Sequence, residues 1–261
     1  YAWDPNLNLV GGYVVLDDLD DDGEFTSSVA DNPQTKEILS HQAFFVETIA
    51  DGPASLTIEE SDKSDGSSYL LSRPAKPASV ISRLNINLYL INADKSIVMA
   101  DGLKAEFGST YTNDVNSQDA IKFSNVNETF GLMRNGKFLA IERRQPLVMD
   151  DTLYLRTTKV TQRNYQLVFK PENLSSFGMT AFLVDAYLNK ETSLSLDAIS
   201  TINFTVNSDA ASASLDRFKV VFKSYTVLPV TFTGIRAAIQ QKDIQVDWSV
   251  EQEVNIEKYE L

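Results

Sequence analysis

The stretch "LNINLYLI" at residues 84–91 decides the fold. Leu84, Ile86, Leu88 and Leu90 recur on every second position, with Asn85, Asn87 and Tyr89 between them. Successive side chains of a strand point to opposite faces, so this spacing predicts a half-buried β-strand and not a helix. The same alternation returns downstream: Leu153 and Leu155 in "TLYLR", Ile202, Phe204 and Val206 in "INFTV", and Phe218, Val220 and Phe222 in "RFKVVF". Between the runs lie reversal signals, "NADK" at 92–95, "RNGK" at 134–137 and "LNKE" at 188–191, rich in Asn, Asp and Gly, which tolerate the backbone angles of tight turns. Helical spacing is scarce. Only "NPQTKEIL" at 32–39, capped by Asn32, and "SQDAI" at 117–121, capped by Ser117, are expected to form a turn or two. Many short strands without intervening helices predict an all-β protein, its antiparallel sheets packed face to face as β-sandwich modules.

Two boundaries divide the chain. In "SRPAKPAS" at 72–79 two prolines withdraw backbone donors from any ladder. The second boundary is "TVLPVTF" at 226–232, after which Ile244, Val246, Trp248 and Val250 alternate with Gln245, Asp247 and Ser249. The expected organisation is a β-rich N-terminal module at 1–72 that starts mid-domain, a linker at 73–79, a β-sandwich at 80–227, and the first strands of an immunoglobulin- or fibronectin-like module at 228–261. Such a module needs roughly 100 residues. Only 34 run from Leu228 to Leu261, so the last module is expected to be incomplete.

With 261 residues, 43% of them hydrophobic, the chain has material for one large or two ordinary cores. Its net charge of −13 repels phosphates and anionic headgroups, which argues against nucleic-acid partners, and no apolar run approaches the ~20 residues that span a bilayer, so no membrane insertion is expected. Cysteine is absent, which removes disulfides, thiolate catalysis and Cys-based zinc sites.

The terminal stretch "LPVTFTGIRAAIQQKDIQVDWSVEQEVNIEKYEL" resembles the start of the fibronectin-like module that precedes C-terminal sorting signals in type IX secretion substrates of Bacteroidota; Leu228, Pro229, Val230, Trp248, Glu251, Asn255 and Tyr259 carry the match. Upstream, "YAWDP" at 1–5, "GGY" at 11–13 and "HQAFFV" at 41–46 are similar to a run in large surface proteins of that phylum, with His41 in place of the usual glycine. "DVNSQDAIK" at 114–122, "LAIERRQP" at 139–146, "FLVDAYL" at 182–188 and "DRFKVVF" at 216–222 resemble the β-sandwich that follows it. The resemblance implies export to the outer cell surface or the extracellular space, and a role as stalk, adhesin or surface layer. It also implies that Thr152, in "DTL" at 151–153, is an acceptor for O-glycans.

Few constellations suggest chemistry. Asp18, Asp20 and Asp22 followed by Gly23 reproduce the D-x-D-x-D-G opening of a calcium loop, where alternate carboxylates converge on one hard cation. The twelfth position is Val29, so Glu24 or a distant carboxylate would replace the bidentate Glu. The plain alternative is a solvated hairpin tip, since carboxylates ~4 Å apart in water repel by only about 1 kcal/mol. His41, the only histidine, excludes two-histidine metal sites, and it lies beside "AFFV" without a nucleophile elbow. Asp185 interrupts an otherwise apolar strand and is expected to be buried and paired, with Arg217 as the candidate partner. Tyr1, Trp3 and Tyr13 offer either a stacking platform for surface glycans or core packing.

The expected function is therefore non-enzymatic. No cofactor is required, calcium is the one candidate ion, and the expected partners are neighbouring modules or copies of the same protein; residues 228–261 are read first as the ordered stub of a domain whose remainder lies outside this sequence, and second as strands that complete a neighbour's sheet by strand addition into a filament or surface layer. The alternative is a calcium-dependent carbohydrate-binding module.

Overall fold

The computed structural model describes residues 1–19, 25–32, 34, 36–38, 42–48, 51–63, 81–175, 178–224, 231–241 and 243–251. The protein is all-β. It divides into two compact units, Tyr1–Ser224 and Tyr225–Leu261.

The first unit opens with four short strands, β1 (Ala2–Asp4), β2 (Gly12–Val14), β3 (Leu16–Asp17) and β4 (Thr26–Ser27). The main sheet comprises β5 (Ser82–Ile91), β6 (Ile97–Phe107), β7 (Ala120–Ile121), β8 (Thr129–Arg134), β9 (Lys137–Arg144), β10 (Thr152–Thr158), β11 (Arg163–Glu172), β12 (Met179–Asp185), β13 (Lys190–Leu194), β14 (Ser200–Val206) and β15 (Phe218–Ser224). Its hydrogen-bonded order is β13-β12-β15-β10-β8-β9-β6-β5-β11-β14, with β7 also on β9. The sheet folds over on itself. Phe204 of β14 meets Phe218 of β15 at 4.8 Å between ring centroids, and Phe107 of β6 meets Phe222 of β15 at 6.2 Å, although these strands lie far apart in the order. The main apolar core lies within the folded sheet, and Leu84, Ile86, Leu88 and Leu90 all belong to it.

The turns follow their sequence signals. Asn135 and Gly136, both at positive φ, close the β8–β9 hairpin, Lys95 closes β5–β6, and Asn189 closes β12–β13. The two expected helical turns do not form at their described positions. Residues 117–118 make a turn in which Asn116, not Ser117, accepts from the Gln118 amide, and Ala120–Ile121 go into β7.

Two features differ from a purely antiparallel sandwich preceded by a separate module. β6 and β9 run parallel, from Lys104↔Ile141 to Phe107↔Arg144. The long excursion at 108–128 and the tight β8–β9 hairpin bring the chain back beside β6 in the same direction, the kind of connection that parallel pairing requires. The N-terminal stretch, expected as a module of its own up to residue 72, belongs to the same compact unit as the sheet. Its apolar side chains Leu7, Val14 and Val29 cluster with Met99 of β6, and Val15 packs on Ala140 and Ile141 of β9. The reason lies in the polar positions of the deciding stretch. Asn85 and Asn87 are buried, not solvated, together with Lys104 and Glu106 on β6, and this face needs a covering layer with hydrogen-bonding groups. Asn87 Nδ2 donates to the carbonyl of Ala30 at 2.8 Å. Gly102 permits the approach, because a Cβ there would lie 2.7 Å from Asn87 Oδ1 and 3.1 Å from the Val29 backbone. The expected linker at 73–79 lies outside the described residues.

The second unit is a hairpin of β16 (Thr231–Gln240) and β17 (Asp243–Glu251), with a register shift between Phe232 and Gly234. Among the described residues, neither strand pairs with any other.

Candidate functional site

Three places gather side chains of interest: a polar cluster beneath the N-terminal layer, an aromatic group within that layer, and the hairpin of the second unit. The polar cluster starts from an irregularity in β6. Leu88 pairs with Asp101 but Tyr89 with Met99, which leaves Ala100 over as a bulge and re-aims the neighbouring side chain. Asp101 is fully buried. Its Oδ1 accepts from Lys122 Nζ at 2.5 Å and from the Gly102 amide at 2.8 Å; its Oδ2 accepts from Asn125 Nδ2 at 3.1 Å and from the Phe130 amide at 2.8 Å. Lys122 Nζ also donates to the carbonyl of Gly102 at 3.0 Å. Loss of solvent pushes the Asp101 carboxyl up, against the pull of the lysine charge.

The cluster extends into the covering layer. Asn125 Oδ1 accepts from the Tyr13 amide at 2.8 Å, and the buried carboxylate of Glu128 accepts from Asn8 Nδ2 at 3.0 Å and from the Tyr165 hydroxyl at 2.8 Å. Burial pushes the Tyr165 phenol up to about 12. A second set of charges centres on Arg143, which donates from Nε to Glu106 at 2.7 Å and from Nη2 to Asp17 at 2.5 Å. Beside it, burial holds the Lys104 ammonium below its usual range. On the far side of β9, burial raises the Glu142 carboxyl against the opposing charges of Arg144 and Arg134. The Asp101–Lys122 pair, the Arg143 set and Glu142 with Arg134 and Arg144 are paired and hydrogen-bonded, as buried ions must be to persist.

The aromatic group is larger than the sequence suggested. Tyr1 stacks on Phe123 at 4.0 Å with the rings nearly parallel, Trp3 meets Tyr13 at 5.0 Å, and Tyr13, Phe45 and Phe123 lie within 5.7 Å of one another. Tyr1, Trp3, Tyr13 and Phe123 are half-buried and Phe45 is exposed. The Tyr1 hydroxyl donates to Glu47 at 2.8 Å, and Gln42 Nε2 donates to the Trp3 carbonyl at 3.2 Å.

The hairpin turns one apolar face outward. Ile235, Ala237 and Ile239 pair with Trp248, Val246 and Ile244, so all six side chains share a face, and Ile235, Ile239 and Ile244 are mostly exposed. A shallow hollow at its turn is lined by Gln240, Gln241, Asp243, Ile244 and Gln245.

Of the calcium-loop residues, Asp18 lies just after β3, while Asp20, Asp22 and Glu24 fall outside the described residues, as does His41. Among the described residues no three His, Cys, Asp or Glu side chains converge as a metal-holding group. Thr152 begins β10, half-buried, and its hydroxyl donates to the Asp150 carbonyl at 3.4 Å. The neighbouring Asp151 accepts from Arg144 Nη2 at 2.6 Å. Asp185 and Arg217 form the expected pair. The Asp101–Lys122 pair was not legible because Asp101 with Gly102 reads as a turn signal at the end of the apolar run 97–100, and nothing local marks Lys122 as its partner. Phe45 and Phe123 were likewise missed, since ring proximity here comes from tertiary packing and not from a local pattern. No helix of the described residues is long and apolar enough to cross a membrane.

No family model, curated protein or solved structure matches the chain.

Proposed function

We propose that this protein is a non-enzymatic structural or adhesive module of an exported cell-surface protein of the type IX secretion class, and that it joins neighbouring modules or copies by strand addition. The observation that carries the reading is the hairpin β16–β17. It exposes an apolar face made by Ile235, Ile239 and Ile244. It also presents backbone donors and acceptors that pair with no other strand among the described residues. Apolar side chains favour cover, and open strand edges favour a further strand, so another β-structure satisfies both at once. The first unit, with its folded-over sheet and paired buried charges, supports the reading as a rigid carrier. Light scattering and electron microscopy over a range of protein concentrations test it. Concentration-dependent assembly supports the proposal, and a monomer at every concentration overturns self-assembly.

The aromatic group supports a second reading, a glycan-binding module. The exposed Phe45 and the half-buried Tyr1, Trp3 and Tyr13, beside Glu47 and Gln42, supply aromatic and polar groups of the kind that sugars use. A glycan array in the presence of calcium and of EDTA tests it. Absence of binding in both overturns it, and binding only with calcium also assigns a role to the Asp18 loop.

A further inference from the structure

We propose that Lys122 and Asp101 condense to an amide, so that an internal isopeptide bond ties β6 to the segment between β7 and β8. The geometry carries the inference. Lys122 Nζ lies 2.5 Å from Asp101 Oδ1, and the side chains are 1% and 0% exposed. Both partners are held by their backbones: Asp101 sits within β6, and the Lys122 amide donates to the Phe138 carbonyl at 2.9 Å. The Gly102 carbonyl accepts from the same Nζ, which holds the nitrogen beside the carboxyl carbon.

The surroundings fit each step. The reaction opens with transfer of one Nζ proton to Asp101 Oδ1 across their 2.5 Å contact, which sets an amine beside a carboxylic acid. The upward shift of the Asp101 carboxyl by burial acts in the same direction. The amine lone pair then attacks Cγ and forms the C–N bond. Negative charge gathers on Oδ2, which already accepts from Asn125 Nδ2 and the Phe130 amide, so two fixed donors meet the developing oxyanion. The C–Oδ1 bond breaks, and Oδ1 leaves as water with the proton it carries and one from nitrogen. The amide nitrogen keeps its last hydrogen. No oxidant, metal or co-reactant enters the balance, and the fixed approach of the two groups replaces the entropy cost of a bimolecular encounter.

Mass spectrometry of the folded, then denatured, full chain tests the proposal. The expected result is a mass one water below that of the sequence, a digest in which the Lys122 and Asp101 peptides are joined, and recovery of the full mass in Lys122→Arg. The measurement is made on denatured protein, so it does not depend on how well the variant folds. A wild-type chain at full mass with a free Lys122 peptide overturns the proposal and leaves a buried ion pair. A loss of water that persists in Lys122→Arg overturns it as well.

Discussion

Arg217 meets Asp185 edge to edge, with Nε donating to Oδ1 at 2.9 Å and Nη2 to Oδ2 at 2.7 Å. The remaining guanidinium nitrogen donates to the carbonyls of Thr205 and Ser212, and the plane packs against Tyr187, Phe204 and Phe218 at 4.8 to 5.2 Å. Every acceptor is matched by a donor in a forked geometry that lysine cannot reproduce. Arg217→Ala leaves a buried carboxylate unpaired, and the expected loss of unfolding free energy is about 3–5 kcal/mol. Arg217→Lys is expected to recover only part of it. Guanidinium titrations of both variants check this, and a full recovery by lysine refutes the geometric argument.

A Cβ at Gly102 would collide with Asn87 and Val29. Gly102→Ala should therefore lift the turn at 29–30 from the sheet and destabilise the first unit by about 1–3 kcal/mol, the usual range for overpacking. Hydrogen exchange at the β5–β6 ladder and a chemical melt measure the two effects. Unchanged stability would mean that the covering layer is not closely seated.

The pH dependence at the alkaline end follows from Tyr165. Its folded phenol titrates at about 12, above the ordinary value of 10.0, chiefly because it is buried. The neutral phenol is favoured in the folded state, so its contribution is complete below pH 10 and is lost as pH rises toward 12. Wild-type stability should fall more steeply across that interval than the stability of Tyr165→Phe. Parallel slopes for the two proteins would show that the phenol does not report on folding.

The hairpin supplies a fourth test. Ile239 and Ile244 face each other across its turn on the apolar face. Ile239→Lys or Ile244→Glu should abolish concentration-dependent assembly while the first unit keeps its melting behaviour, because the substitutions touch only the second unit. Assembly that survives both substitutions would move the contact elsewhere.

The sequence made the strands and turns legible because their information is local: alternation at Leu84 to Leu90 and the Asn-Gly pair at 135–136 each specify their own backbone. What it hid was long-range. Alternation at Asn85 and Asn87 indicates which side chains share a face but not whether that face meets water or another layer. Here Asn87 is completely buried beneath residues 29–30. The charged pair at 185 and 217 was legible because one partner interrupts an apolar run. The pair at 101 and 122 was not, since the Asp101–Gly102 step reads as a turn and Lys122 carries no local mark of its partner.

The covering layer is fastened by partners much further along the chain: Asn8 to Glu128 across 120 positions, and Asp17 to Arg143 across 126. At about 5–20 residues per second, a ribosome needs roughly 6–25 s to make Arg143 after Asp17. The covering layer, made before its partners on β9 and at Glu128, therefore acquires its fastenings late. During that interval Leu7, Val14 and Val29 are open to chaperones, and the layer locks only once β9 has been made.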